Sequence, residues 1–192
     1  MYHDLPPSSS FWPFLLSVDQ DFAETTRKAG CPCGGRLHGA NYPRKPRGTA
    51  AWPDGYHRRL SFCCERDGCR KRRTPPSVRF LGRKVYLGAI VVLVAAMRQG
   101  PTPRRVRELT ERFGAGRRTI GRWRAFWEEL FPQTQFWKAA RGRLVRAVEF
   151  AALPRALLEA FVRNAESCVE WGDLLRFLSP ITISGGLKTT VS

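Results

Sequence analysis

Five of the six cysteines lie in two short clusters, Cys31-Pro32-Cys33-Gly34-Gly35 and Cys63-Cys64-Glu65-Arg66-Asp67-Gly68-Cys69. The segment between them is rich in Arg, Pro and Gly and poor in apolar runs, so it cannot bury enough surface to fold unaided. Two cysteine knuckles separated by a hairpin-like insert form the pattern of a zinc ribbon, where four thiolates on one ion supply the folding energy that so small a core lacks. Ordinary free thiols would not need to cluster in this way.

A tetrahedral zinc site takes four ligands. Cys31, Cys33 and Cys69 supply three, and the fourth is Cys63 or Cys64. Residues 59–64 read as a strand in which Leu60, Phe62 and Cys64 share one face and Ser61 and Cys63 the other. That alternation favours Cys64; His38 and His57 are fallback ligands. Gly34 and Gly35 permit the tight turn that brings backbone amides to thiolate sulfur. The first knuckle is one residue shorter than the usual C-x2-C. A catalytic zinc keeps an open position with a general base beside it, and neither His38 nor His57 begins the His-x-Glu of a deaminase, so the ion is expected to be structural. Cys168 stands alone in an apolar helical pattern and is expected in a core.

Lys and Arg number 33 against 16 Asp and Glu, a net charge of +17. The excess is uneven: residues 31–84 carry +11 and residues 85–150 carry +8, whereas residues 1–30 carry −2 and residues 151–192 carry none. A positive field that covers the cysteine region and the next 66 residues calls for a polyanion, and nucleic acid is the commonest one. The start MYHDLPPSSS has neither the basic opening nor the apolar run of a signal peptide. The most apolar stretch, Val85–Met97, is 13 residues long, short of the roughly 20 that span a bilayer. No membrane association is expected, and a cytoplasmic, reducing setting favours metal over disulfides.

Along the chain, Phe11–Leu16 is an aromatic patch broken by Pro13, and a short helix capped by Ser17 or Asp19 runs to about Lys28, with Gly30 as its stop. Three prolines and the pair Asp54-Gly55 make residues 41–59 a hairpin or loop. Thr74-Pro75-Pro76-Ser77 reads as a stiff linker and a domain boundary. Three helices come next: about Lys84–Gln99, Pro103–Phe113 with Thr102 as cap, and Arg117–Phe131, with a Gly114-Ala115-Gly116 turn between the last two. Val106, Leu109 and Phe113 share one helical face, as do Ile120, Trp123, Trp127 and Leu130. Pro154–Val162 and Glu166–Leu178 read as two further amphipathic helices. The fold class expected is therefore mainly α with a small β zinc ribbon. An N-terminal segment with a short helix (1–27) precedes the ribbon (28–74), a three-helix helix-turn-helix (78–132) and a C-terminal helical extension and tail (133–192).

Arg117, Arg118, Thr119 and Arg122 fall on the face of the third helix opposite its aromatics. Such a face suits the major groove, where Arg bonds guanine edges in bidentate fashion and Thr touches thymine methyls. Arg104, Arg105 and Arg112 are candidates to hold phosphates beside it. A plain helical bundle with solvated arginines is the alternative. Gly121 costs the helix roughly 1 kcal/mol against Ala, which points to close approach by a neighbouring helix or DNA.

CPCGG, RLSFCCERDGCRKR and ELTERFGAGRRTIGRW together resemble the N-terminal part of bacterial insertion-sequence transposases, in which a zinc ribbon leads into a homeodomain-like helix-turn-helix. The resemblance covers roughly residues 28–131. It implies Cys31, Cys33, Cys64 and Cys69 as zinc ligands, and Arg117, Arg118, Thr119 and Arg122 as DNA contacts. The RNase H-like catalytic domain of such transposases is not recognised after Phe131; Glu149, Glu159, Glu166, Glu170 and Asp173 read as solvated helix faces, so no catalysis is expected. The function expected is sequence-specific binding of double-stranded DNA. Arg44, Lys45, Arg47, Arg70, Lys71, Arg72 and Arg73 would give affinity through phosphates, and the third helix sequence preference. The neutral, apolar segment Leu153–Leu178 is a candidate homodimer surface. Two rivals are an RNA-binding ribbon that stacks bases on Trp52 and Tyr56, and a DNA-binding subunit whose catalytic domain sits on a second chain.

Overall fold

The computed structural model describes residues 10–44, 54–80, 91–92, 102–144, 152–164 and 167–183. The first helix, α1 (Phe11–Ala29), is longer than expected. Pro13 does not break it, because the amides of a first helical turn lack intrahelical partners in any case. Phe11, Trp12, Leu15, Val18, Asp19 and Ala23 are its buried residues, a single stripe at helical spacing. Gly30 ends it at φ 69°, its amide turned back to the Arg27 carbonyl.

Beyond the first knuckle come β1 (Leu37–Gly39), β2 (Tyr42–Pro43), β3 (Arg58–Arg59), β4 (Phe62–Cys64) and β5 (Arg72–Arg73). β1 pairs antiparallel with β4 and β2 with β3, so one hairpin carries two short ladders. At the break between them Ala40 donates its amide to the Ser61 carbonyl at 2.8 Å, and the Ser61 amide goes to Asn41 Oδ1 at 3.0 Å. β5 lies on the other edge of β4, giving the sheet order β1-β4-β5.

The helical part holds α2 (Pro103–Phe113) and α3 (Arg117–Ala125). Of the expected helix Lys84–Gln99 only Val91 and Val92 are described; both are helical and fully buried, and the rest lies outside the described residues. After α3 the backbone widens into a π-helical turn, Phe126–Leu130, where the Phe131 amide reaches back five residues to the Phe126 carbonyl. That extra residue per turn rotates the apolar face. Trp127 and Phe131 are fully buried while Leu130, expected on the buried face, is 54% exposed. The chain continues through α4 (Gln135–Ala140), α5 (Arg155–Phe161) and α6 (Cys168–Leu178).

Two cores result. The larger joins Trp12, Trp123, Trp127, Trp137 and Trp171 with the leucines of α5 and α6; the smaller holds Ala23, Cys31, Leu37, Phe62 and Cys64. α1 contributes to both. Its first turns pack on α6, where Gly172 makes room for the Phe14 ring: a Cβ there would stand 2.6 Å from Phe14 Cε1. Leu153, Leu157, Leu158, Trp171, Leu174 and Leu178 face the chain's own core. The apolar character that suggested a dimer surface is thereby used within the chain.

Residues 75–80, expected as a linker, are instead packed. Pro75, Ser77, Val78, Arg79 and Phe80 are buried. Arg79 and Asp19, expected as a helix cap, form a fully buried ion pair at 2.8 Å. Asp19 also accepts the Ser77 hydroxyl at 2.6 Å and the Val78 amide at 2.7 Å. Arg79 further donates to the carbonyls of Tyr56 and Arg58. This network satisfies every face of both charges and ties hairpin, α1 and the 75–80 segment together, which is the condition for burying an ion pair at all. Arg59 is buried nearby, donating to the Pro75 carbonyl at 2.5 Å, and burial lowers its pKa.

Candidate metal centre

The four ligand atoms of Cys31, Cys33, Cys64 and Cys69 lie within 4.8 Å of one another. Cys31 and Cys69 Sγ are 3.7 Å apart, and Cys33 and Cys64 Sγ 3.5 Å. Sulfurs bound about 2.3 Å from one ion at tetrahedral angles stand about 3.8 Å from each other, whereas a disulfide needs about 2.05 Å. No disulfide joins any of the cysteines. The donor set and its spacing therefore fit a single metal ion. Among the described residues this is the one group of His, Cys, Asp and Glu placed to hold a metal.

Local sequence explains the convergence. The register Leu37↔Cys64 and His38↔Cys63 puts Cys64 on the buried face of β4 with Phe62. Cys63 points away, its Sγ 3.3 Å from the Arg70 carbonyl. His38 is turned outward too, onto Glu65 at 2.9 Å; that bond, then the Arg36 amide, lowers the Glu65 carboxyl pKa. In the knuckles the amides of Cys33, Gly35 and Arg66 serve the sulfurs of Cys31, Cys33 and Cys64, each two residues back in the chain. Such N–H groups favour thiolate over thiol. The Gly35 amide, with the neighbouring sulfurs, lowers the Cys33 pKa to about 6. Burial pushes the Cys64 thiol up to about 12. At Cys31 the Cys33 amide acts to lower the pKa, but burial and the nearby sulfurs outweigh it and the net direction is upward. Four thiolates cannot coexist here without a cation; a bound divalent ion would displace the remaining protons.

No protein-family model, curated protein or solved structure matches this chain.

Gly34 and Gly35 have different reasons to be glycine. Gly34 sits at φ +81° with open space around it. Gly35 has no positive φ, but a Cβ there would stand 2.5 Å from Cys64 Sγ. Gly35→Ala is thus expected to weaken metal binding at least about tenfold, as shifts in supporting residues do. Gly34→Ala should keep the metal and cost about 1–2 kcal/mol of stability. Competition against a chromophoric chelator separates the two; equal affinities for both variants would mean that Gly35 does not shape the cluster.

The basic residues fall into distinct situations. Arg117, Arg118 and Arg122 are exposed along α3, while Ile120 and Trp123 are buried beneath them. Thr119 is half-buried and accepts from Arg122 at 3.4 Å. Arg104 is exposed on α2 and paired with Glu108 at 3.2 Å. The side chains of Arg105, Arg112 and Phe113 lie outside the described residues, as do Lys45, Arg47 and Trp52. Beside the cysteine cluster, Arg70 adopts φ 43° and pairs with Asp67. Arg72 donates to the Ala40 carbonyl at 2.8 Å and Ser61 Oγ at 3.0 Å, with its guanidinium over Tyr42. Lys71 and Arg73 are exposed.

Tyr56, expected to stack on RNA bases, is fully buried against Trp12 and beneath the Arg79 guanidinium, so its ring meets no base. Among the described residues the carboxylates after Phe131 do not converge. Glu159 pairs with Arg155 and Asp173 with Arg176, and Glu170 accepts the amides of Arg163 and Asn164 at 2.7 Å, the latter lowering its pKa most. Glu149 and Glu166 lie outside the described residues. Among the described residues no helix is long and apolar enough to cross a membrane; most of Val85–Met97 lies outside them.

Proposed function

We propose that this chain recognises double-stranded DNA, with the four cysteines holding a structural zinc ion in a zinc ribbon and α2-turn-α3 acting as a helix-turn-helix. The observation that carries this reading is α3 itself. It comes after a short turn at Gly114–Gly116, buries Ile120 and Trp123, and turns Arg117, Arg118 and Arg122 outward on a strongly basic protein. Guanidinium groups in a row on a helix backed by rigid aromatics are placed to read base edges. Gly121 lies on the same face with no described atom within 4 Å of where a Cβ would be. Among the described residues no neighbouring helix accounts for that glycine, and close approach of a DNA backbone would.

A site of four sulfurs suits zinc in a structural role. The ion would hold the ribbon and take no part in a reaction. The combination accords with the DNA-recognition part of an insertion-sequence transposase, acting without catalysis of its own. Magnesium-dependent strand cleavage by the purified protein would contradict the non-enzymatic part of this reading.

Selection from a random duplex library, on protein whose metal content has been measured, tests the proposal. One zinc per chain with an enriched motif is the expected result. Arg118→Ala or Arg122→Ala should then flatten preference at one or two positions, at about 1–3 kcal/mol per lost bidentate contact. Equal loss on selected and random duplexes would remove α3 as the reading element.

A further inference from the structure

A cavity of about 340 Å³ opens at the cysteine cluster, lined by Cys31, Pro32, Cys33 and Cys69 together with Lys71, Arg72 and Arg73. We propose that this cavity is a phosphate site, and that the metal-bound cluster forms its floor. The placement of the cations comes from strand register. Arg73 pairs with Phe62 and so shares the face of Phe62 and Cys64; Lys71, whose carbonyl receives the Cys64 amide, shares it too. Arg72 belongs to the other face, and its guanidinium is already fixed by Ala40, Ser61 and Tyr42. It forms wall, while Lys71 and Arg73 are the movable donors.

Charge favours an anion even with metal in place. Four thiolates against a divalent ion leave two negative charges, which Lys71 and Arg73 offset, and the Arg72 guanidinium on the other face of the strand adds one positive charge behind the wall. Among the described residues neither Lys71 nor Arg73 has a carboxylate partner, in contrast to Arg70 and Arg104. A forked guanidinium and an ammonium on one side of a cavity match a tetrahedral oxyanion with two free oxygens, the chemistry of a phosphate monoester or diester. That the natural occupant is a backbone diester of nucleic acid rests on the DNA reading above.

The metal enters through geometry. Lys71 and Arg73 leave the second knuckle directly after Cys69, and Cys31 and Cys69 are neighbours in the cluster. Loss of the ion frees Cys69, and with it the spacing of the two donors. Phosphate and metal are then linked, and each raises the affinity of the other by the same factor.

The test uses the full metal-loaded chain, inorganic phosphate and a duplex oligonucleotide, with Lys71→Ala/Arg73→Ala as the variant. Inorganic phosphate should shift the amide resonances of Cys33 and Lys71, and both chelation and the variant should abolish those shifts. The slope of log K against log salt for duplex binding should fall by about two in the variant, equally for all sequences. If the Ala variant loses its metal, Lys71→Gln/Arg73→Gln repeats the measurement. Phosphate shifts without any duplex binding would uphold the site and overturn the DNA reading. Duplex binding with an unchanged slope and no phosphate shifts would overturn the site and leave the DNA reading standing.

Discussion

Cys64→Ser is expected to release the metal and melt the ribbon while leaving the helical core folded. The smaller core consists of five buried residues, two of them cysteines, with Leu60, Cys33 and Cys69 at its margin. Its apolar surface is too small to hold two short ladders, whereas a metal ion on the four cysteines, if it is the zinc proposed above, would contribute on the order of 10 kcal/mol or more. Losing one of four ligands should weaken binding well beyond the roughly 10- to 100-fold of supporting-residue changes. The helical core has no such dependence: Trp12, Trp123, Trp127, Trp137 and Trp171 all belong to it. Near-UV dichroism from those tryptophans should therefore survive, while the amides of β1 and β4 lose their protection from hydrogen exchange. Tyr56 and Arg58 keep the outer hairpin anchored through Arg79. Cys63→Ser is the control, since Cys63 faces away from the cluster, and it should retain stoichiometric metal. Metal retained in Cys64→Ser would remove Cys64 from the ligand set. Tryptophan dichroism lost together with the metal would show that the two cores unfold as one.

The cluster was legible because its logic is local. Two-residue alternation along 59–64 separates Cys64 from Cys63, and the glycines after Cys33 announce a turn that needs them. The role of Gly35 was not legible, since what it avoids is the sulfur of a residue 29 positions away. The boundaries of α2 and the start of α3 were likewise written locally, in Pro103 and in Gly114–Gly116. The end of that helix was not: a period of 3.6 carried through Trp127 predicts a buried Leu130, and a single π turn undoes the prediction. Phe131 takes the place because its ring packs, tilted, between Trp127, at 4.7 Å, and Trp137, at 5.2 Å. Asp19 and Arg79 are hidden in the sequence for a related reason. A lone Asp before a helical run resembles a cap, and an Arg after two prolines resembles a linker charge. Nothing in either neighbourhood reveals a partner 60 residues away.

That pair carries the second large effect. Asp19→Ala is expected to destabilise the metal-loaded protein by about 3–5 kcal/mol, because it leaves a guanidinium buried with no counter-charge. Against a typical total of about 5–15 kcal/mol, such a loss brings the protein near its threshold. The Ser77 hydroxyl and the Val78 amide lose their acceptor in the same step. Adding Arg79→Met removes the stranded charge, so the double variant should be no less stable than Asp19→Ala alone, even though the Tyr56 and Arg58 carbonyls lose a donor. Urea unfolding of the wild type, both single variants and the double variant gives the coupling directly. Strictly additive losses would mean that the two charges are not a pair in solution. The cost is concentrated here because Asp19 sits on a helix that enters both cores, and Arg79 grips the hairpin from the opposite side. Under the DNA reading this joint fixes the distance between Lys71 and Arg73 on the ribbon and the arginines of α3. Variants that loosen it without unfolding either core should therefore lose duplex affinity while each basic surface stays intact.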